Sequence, residues 1–128
     1  MRPAELKYTK THEWARVEGD VVWAGITDYA VEHLSDLVYV ELPSVGAVVK
    51  QAEAFGEIES VKAVIDLNSP VSGEVIEMNS TLPDNLETLS QDCYGAGWMI
   101  KIKMSNPKEL TNLMNLEEYN KFCETEQH

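Results

Sequence analysis

Gly56-Glu57-Ile58-Glu59-Ser60-Val61-Lys62-Ala63-Val64-Ile65-Asp66 sets one primary amine, Lys62, between two apolar runs that both read as β-strands. Ala54, Phe55, Ile58 and Val61 precede the lysine, Ala63, Val64, Ile65 and Leu67 follow it, and Pro70 and Gly73 close the second run. The pair predicts a hairpin with Lys62 near its tip. An amine there is open to a modifying enzyme and can carry a covalent arm, whereas on a strand face it would be buried or paired. In an arbitrary hairpin the same residue would be a solvated turn lysine, so the flanking sequence has to decide.

On either side of this hairpin the chain is punctuated as β structure. Val21 to Ile26 and Leu37 to Leu42 are rich in Val, Ile, Trp and Tyr and are bounded by Gly, Asp and Pro. Between them Thr27-Asp28 offers an N-cap to a short helix in which Ala30, His33-Leu34 and Leu37 recur at helical spacing. Gly46 follows Pro43-Ser44-Val45 in a turn, Val48-Val49 resumes a strand, and Gln51-Ala52-Glu53 reads as the next loop. Gly46 and Gly73 are turn glycines on this reading. Asn79 to Asp92 is polar with scattered leucines and reads as an irregular loop containing a helical turn. From Trp98 to Lys103, apolar Trp98, Ile100 and Ile102 alternate with Met99, Lys101 and Lys103, the pattern of a strand half exposed to water. Asn106-Pro107-Lys108-Glu109 then orders a cap, a first-turn proline and a box-closing glutamate. Asn115-Leu116-Glu117-Glu118 repeats the capping pattern, and Leu116, Tyr119, Phe122 and Cys123 form one apolar stripe expected to dock on the core.

The 128 residues suit a single domain, 1–128, with a β core over about residues 20–104 and a helical segment over about 106–124. With 22 acidic against 10 basic residues the formal charge is −12, which repels phosphate backbones and anionic lipid surfaces over a Debye length of ~8 Å. Nucleic acid and membrane are therefore not expected partners. Cys93 and Cys123 are too few and too far apart for a disulfide framework, which favours a reducing compartment. Met1-Arg2-Pro3-Ala4-Glu5 has neither the apolar core of a secretory signal nor the character of a transit peptide, so a native start there implies a cytoplasmic protein. An enzyme would need a nucleophile with its base, or a metal cluster. His12, His33 and His128 are scattered, and Cys-x-x-Cys, His-Glu-x-x-His and glycine-rich phosphate-loop patterns do not occur, so neither a catalytic site nor a metal site is expected. Glu57 and Glu59 alternate on one strand and share a solvated face.

The lysine's neighbours narrow the choice further. Glu59-Ser60-Val61-Lys62-Ala63-Val64 resembles the lipoylation site of the glycine cleavage system H protein family. Five more stretches follow that family in order: Tyr8 to Trp14, Gly25 to Ala30, Leu37 to Pro43, Ser69 to Val75, and Tyr94 to Ile102. Val61 and Ala63 beside the lysine differ from the two methionines of biotin carriers. Ser60-Val61 differs from the aspartate that typically precedes the lysine in lipoyl domains of 2-oxo acid dehydrogenases.

The resemblance implies a mainly β, lipoyl-domain-like barrel-sandwich hybrid, two facing sheets with a short internal helix and C-terminal helices. It implies lipoic acid in amide linkage to Lys62, and a carrier that is not itself an enzyme. Its partners would be a pyridoxal-phosphate glycine decarboxylase, an aminomethyl transferase, dihydrolipoamide dehydrogenase, and a lipoate ligase or lipoyl transferase. A monomer with transient docking suits such a shuttle. The family also works in the mitochondrial matrix, where a leader would have been removed. A paralogue relaying lipoyl or octanoyl groups to other lipoyl domains would carry the same attachment motif. By alignment, Glu59 and Gly46 match positions used in recognition by the lipoylating enzyme. Thr11, Glu13, His33 and Asp66 match the cleft that shelters the aminomethyl-lipoyl arm, with a half-buried Trp14 steadying Glu13. Ser35, Ile65 and Cys93 depart from the residues usual in the family, which are glycine, serine and proline respectively. Lys62→Arg is the substitution expected to remove the carrier function without unfolding the chain.

Overall fold

A computed structural model describes residues 3–34 and 36–126. The chain is mostly β, in two antiparallel sheets. Strands β1 (Lys7–Tyr8), β2 (Glu13–Glu18), β3 (Val21–Ile26), β5 (Val48–Val49), β8 (Gly73–Met78) and β9 (Ile100–Met104) form one sheet in the order β1-β2-β3-β9-β8-β5. Strands β4 (Leu37–Glu41), β6 (Ala54–Ser60) and β7 (Val64–Asn68) form the other, in the order β4-β6-β7. This is the lipoyl-domain-like arrangement expected from the sequence. Ser35, the departure at a usual glycine, lies outside the described residues.

Alternation along the strands turns one face of each sheet inward. Val22, Ala24 and Ile26 from β3, Ile100 and Ile102 from β9, Val75 from β8, Ile58 from β6 and Leu67 from β7 are buried in one cluster. Each Val, Ile or Leu among them contributes about 1.5–3 kcal/mol when fully enclosed. The central hairpin needs a close approach as well. A side chain at Gly56 would place its Cβ 2.1 Å from the Glu41 carbonyl oxygen, so only glycine lets β6 lie this close to the end of β4. A second cluster joins Leu6, Tyr8, Trp14, Tyr29, Tyr119 and Cys123. Trp14, expected half-buried, is fully enclosed, and its indole N–H donates to the Cys93 carbonyl at 2.9 Å.

Helix α1 (Asp28–Leu34) starts at the cap foreseen in the sequence: Ala30 N donates to Thr27 Oγ1 at 3.4 Å and Val31 N to Thr27 O at 3.1 Å. Leu37, expected on the same helix, instead begins β4, where it pairs with Ser60. The supposed loop from Asn79 to Asp92 holds more order than its composition suggested, a 3₁₀ turn at Leu82–Asp84 and helix α2 (Glu87–Asp92). Its leucines explain the difference, since Leu82 and Leu89 are buried with Leu86 packed against the same core. In the Trp98–Lys103 stretch the strand begins only at Ile100, so the alternation fails at its start: Met99 is buried and Trp98 half-buried.

At the C-terminal end, Asn106 caps a 3₁₀ helix at Pro107–Asn112, its side chain accepting from Lys108 N at 3.2 Å. Glu109 does not close that box. Its carboxylate accepts from Ser72 N and Ser72 Oγ, both at 2.7 Å, and so fastens the segment to the start of β8. The second capping box does form: Asn115 N donates to Glu118 Oε1 and Glu118 N to Asn115 Oδ1, both at 2.9 Å, opening α3 (Leu116–Glu126). Tyr119 and Cys123 bury the apolar stripe as expected, with Leu116 and Phe122 partly covered. Both cysteines are buried and neither forms a disulfide, and burial, reinforced by the charge of Asp28, pushes the Cys93 thiol up to about 12. Among the described residues no helix is long and apolar enough to cross a membrane.

Two glutamates with different surroundings should behave differently. Glu109→Ala is expected to lower the unfolding free energy by about 1–3 kcal/mol, because it strips two hydrogen bonds to a charged acceptor. Glu117→Ala removes only a solvent-exposed pair with Lys121 and is expected to change stability by less than about 0.5 kcal/mol. Urea unfolding of both variants tests the contrast, and equal losses would show that the Glu109 clasp carries no special weight.

Candidate functional site

The β6–β7 hairpin turns through Val61, Lys62 and Ala63, with Glu59 in register with Val64. Ser60 organises the turn. Its amide donates to the Ala63 carbonyl at 2.8 Å, and its buried hydroxyl accepts from the amides of Ala63 at 3.2 Å and Lys62 at 3.4 Å. Val61 N donates to Asp36 O at 3.0 Å and ties the tip to the chain entering β4. Lys62 itself is exposed and its ammonium makes no hydrogen bond or ion pair with the described residues, while Val61 beside it is 73 % exposed. The turn is thus held by backbone and by Ser60, leaving the amine free to react.

An open groove of about 400 Å³ runs beside the tip. Thr11, His12, Tyr29, Ala30, His33 and Leu34 line it, and Ala63 and Ile65 of the hairpin complete it. Tyr29 stacks on both imidazoles, with ring centroids 4.3 Å from His12 and 4.1 Å from His33. The His33 Nδ1–H donates to the Tyr29 carbonyl at 3.0 Å. Behind Thr11 lies Glu13, only 1 % exposed. Glu13 Oε1 accepts from Thr9 Oγ1 at 2.6 Å and from Thr11 Oγ1, and Oε2 accepts from Asn68 N at 3.1 Å. Burial outweighs these donors and raises the Glu13 carboxyl from 4.5 to about 7. Thr9 and Thr11 also line a smaller cavity of about 210 Å³ with Gln51, Ala52, Ser69, Pro70, Asn112 and Leu113, so Thr11 is a wall common to both spaces.

Of the residues singled out in the sequence, the structure therefore brings Thr11 and His33 to one groove and sets Glu13 directly behind it. Asp66 is exposed on β7 in register with Glu57, on the face opposite Ile65 and Leu67, and does not line the groove. Glu59 is exposed on β6 beside the tip. Gly46 follows the end of β4 remote from Lys62, with φ of 96°, open space around its α-carbon and an amide donating to Val75 O at 2.7 Å, so the backbone there favours glycine. Ile65, noted as a departure, lines the groove. His12 and Tyr29 were not singled out as site residues. Both lie in motifs that were, but only the fold stacks residues so distant in sequence.

The chain is similar to known proteins over nearly its whole length. The family model described as glycine cleavage H-protein matches residues 6–126. A protein of Flaveria trinervia named "Glycine cleavage system H protein, mitochondrial" is 53% identical over 121 residues, covering 94% of this chain and 73% of its own length. The glycine cleavage system H protein of Rubrobacter xylanophilus is 52% identical over 125 residues, 98% of this chain and 97% of its own. Among solved structures, the glycine cleavage system H protein of Mycobacterium marinum superposes with a TM-score of 0.85 at 39% identity, covering 94% of this chain and 97% of that one.

The buried carboxyl has a measurable consequence. Between pH 4.5 and about 7 the folded chain keeps a proton on Glu13 that the unfolded chain has released. The stabilisation from this group is full below the unfolded value and is lost as pH rises through the folded one. Glu13→Gln does not titrate, so its stability relative to the parent should rise by up to about 3 kcal/mol across that window. Urea unfolding of both proteins at a series of pH values checks this, and a difference that ignores pH would mean the carboxyl titrates as an ordinary glutamate.

Proposed function

The chain belongs to the glycine cleavage H-protein family, and from that premise we propose that it is a lipoyl-bearing shuttle of the glycine cleavage system. It carries an aminomethyl unit from glycine decarboxylase to aminomethyl transferase, and electrons to dihydrolipoamide dehydrogenase. The observation that carries this reading is the Lys62 amine, exposed and without a partner among the described residues, at the tip of a hydrogen-bonded hairpin whose next residue, Ala63, opens onto a groove. Lysine in that setting fits acylation by lipoic acid, since nothing has to be broken to free the amine. The lipoyl group would supply a dithiolane that accepts the one-carbon unit and is later reoxidised; the other chemistry belongs to the partners.

The protein's own part is geometry. A tethered group is presented at an effective concentration on the order of mM, so weak docking suffices and release from each partner stays fast. Thr11 and His33 line the sheltering cleft in this proposal, with Glu13 behind Thr11 and Asp66 at the outer rim of the hairpin. A Glu13 carboxyl near 7 supports the assignment: in its ionised form it strengthens a hydrogen bond toward a cationic amine through the threonine hydroxyls around it. Glu59, exposed three residues before Lys62, is assigned to recognition by the lipoate ligase or lipoyl transferase. Gly46 joins it in that assignment while also serving the turn. The work is carried out in the cytoplasm, or in a mitochondrial matrix, the plant relative being named as mitochondrial.

Incubation with a lipoate ligase, lipoate and ATP, followed by intact and peptide mass spectrometry, is expected to give a single adduct confined to Lys62. Lys62→Arg should accept none, support no aminomethyl transfer, and keep its stability within about 0.5 kcal/mol of the parent. Folded parent protein without an adduct, beside a lipoyl domain that acquires one, would sink the proposal.

A further inference from the structure

His12 is one of two described residues other than glycine with positive φ, at 71°. For a histidine that backbone costs energy and persists only where its surroundings fix it. Here three hydrogen bonds close a triangle around it. Thr27 N donates to the His12 carbonyl at 3.0 Å, Thr27 Oγ1 lies 2.6 Å from the Tyr119 hydroxyl, and that hydroxyl lies 2.7 Å from His12 Nδ1. Thr27 and Tyr119 are both wholly buried.

Each corner belongs to a different part of the fold. His12 precedes β2 and lines the groove. Thr27 caps α1, the helix that supplies Tyr29, Ala30, His33 and Leu34 to the same groove. Tyr119 sits on α3, its ring stacked on Tyr8 at 4.7 Å and edge-on to His12 at 5.7 Å. None of the groove's lining comes from α3, yet the Tyr119 hydroxyl touches both pieces that shape one of its walls. The ring's packing against Tyr8 accounts for a buried aromatic at position 119; the doubly used hydroxyl is a separate feature.

We propose that Tyr119 is a positioning residue for the groove, acting through His12 and the Thr27 cap to hold the wall against which the loaded arm rests. This role rests on the reading that the groove shelters that arm. Without the hydroxyl, the His12 ring and the first turn of α1 are no longer fixed to each other through α3, and the seated state of the arm loses preorganisation. The arm's attachment and its reach when extended do not depend on Tyr119.

Tyr119→Phe keeps the ring and tests the hydroxyl. In the unmodified protein, methyl and imidazole NMR signals of His12, Ala30 and Leu34 should shift while those of Val48, at the far edge of the six-stranded sheet, stay in place. In the lipoylated protein charged with the one-carbon unit, water slowly releases formaldehyde and ammonia and leaves a thiol on the arm. That loss should run about fivefold faster in the variant, the size of effect one hydrogen bond supplies. Reoxidation of the uncharged arm by dihydrolipoamide dehydrogenase should be unchanged, a split that general loosening of the fold would not give. His12→Asn, which tolerates the left-handed backbone, should reproduce the faster loss, and the double variant should add nothing further. If the parent loses its unit as fast as free charged dihydrolipoamide, the shelter reading falls and this role with it. A sheltered parent beside an equally sheltered Tyr119→Phe variant, or unmoved His12 signals, would overturn the Tyr119 role alone.

Discussion

A carboxyl group taken out of water must be satisfied by whatever surrounds it, and the donors that satisfy Glu13 come from both sheets. Thr9 and Thr11 flank the turn into β2 of the six-stranded sheet, and the Asn68 amide ends β7 of the three-stranded one. The group therefore works as a polar rivet at the place where the sheets meet beside the groove. An unpaired carboxylate there would be strongly unfavourable, so the turn geometry of residues 9–13 and the end of β7 are specified together. The same burial brings the group's titration close to neutrality, which couples the integrity of this corner to its chemistry.

The hairpin solves a different problem. A reactive amine has to be exposed, yet an exposed tip left to itself is mobile and presents its side chain poorly. Ser60, itself buried, turns its hydroxyl toward the tip amides, and the Val61 amide is anchored to Asp36. Order comes from the backbone side of the turn and exposure from the side-chain side. Ile65 extends this logic by facing inward to the groove while Val64 and Asp66 face out, so alternate residues of one strand serve separate surfaces.

Short runs rich in β-branched and aromatic residues, such as Val21–Ile26 and the β6–β7 pair, were legible because composition and punctuation agreed. So were the caps at Thr27, Asn106 and Asn115, where short side chains next to helix starts leave few alternatives. Local signals failed where tertiary partners decide. Glu109 had the spacing of a capping box but found stronger donors at Ser72, and Leu37 fitted the helical spacing but paired with Ser60. The leucines between Asn79 and Asp92 lacked an obvious face until the core covered them. Lys62 stood out at its turn, and its motif likeness marked it for attachment. The groove was only partly visible, since no spacing rule relates His12 to Tyr29 or either of them to Tyr119.

The connectivity of the larger sheet sets an order of events in time. β6 and β7 are joined by three residues and can pair within microseconds of being released as free chain. β3 pairs with β9, Val21 opposite Lys103, so closing the six-stranded sheet must await nearly the last strand made and pays the entropy of a long loop. The wall formed by residues 11–34 gains its contacts to Tyr119 only once α3 is in place. Local pairing thus favours the turn that carries Lys62 forming before the groove beside it is complete.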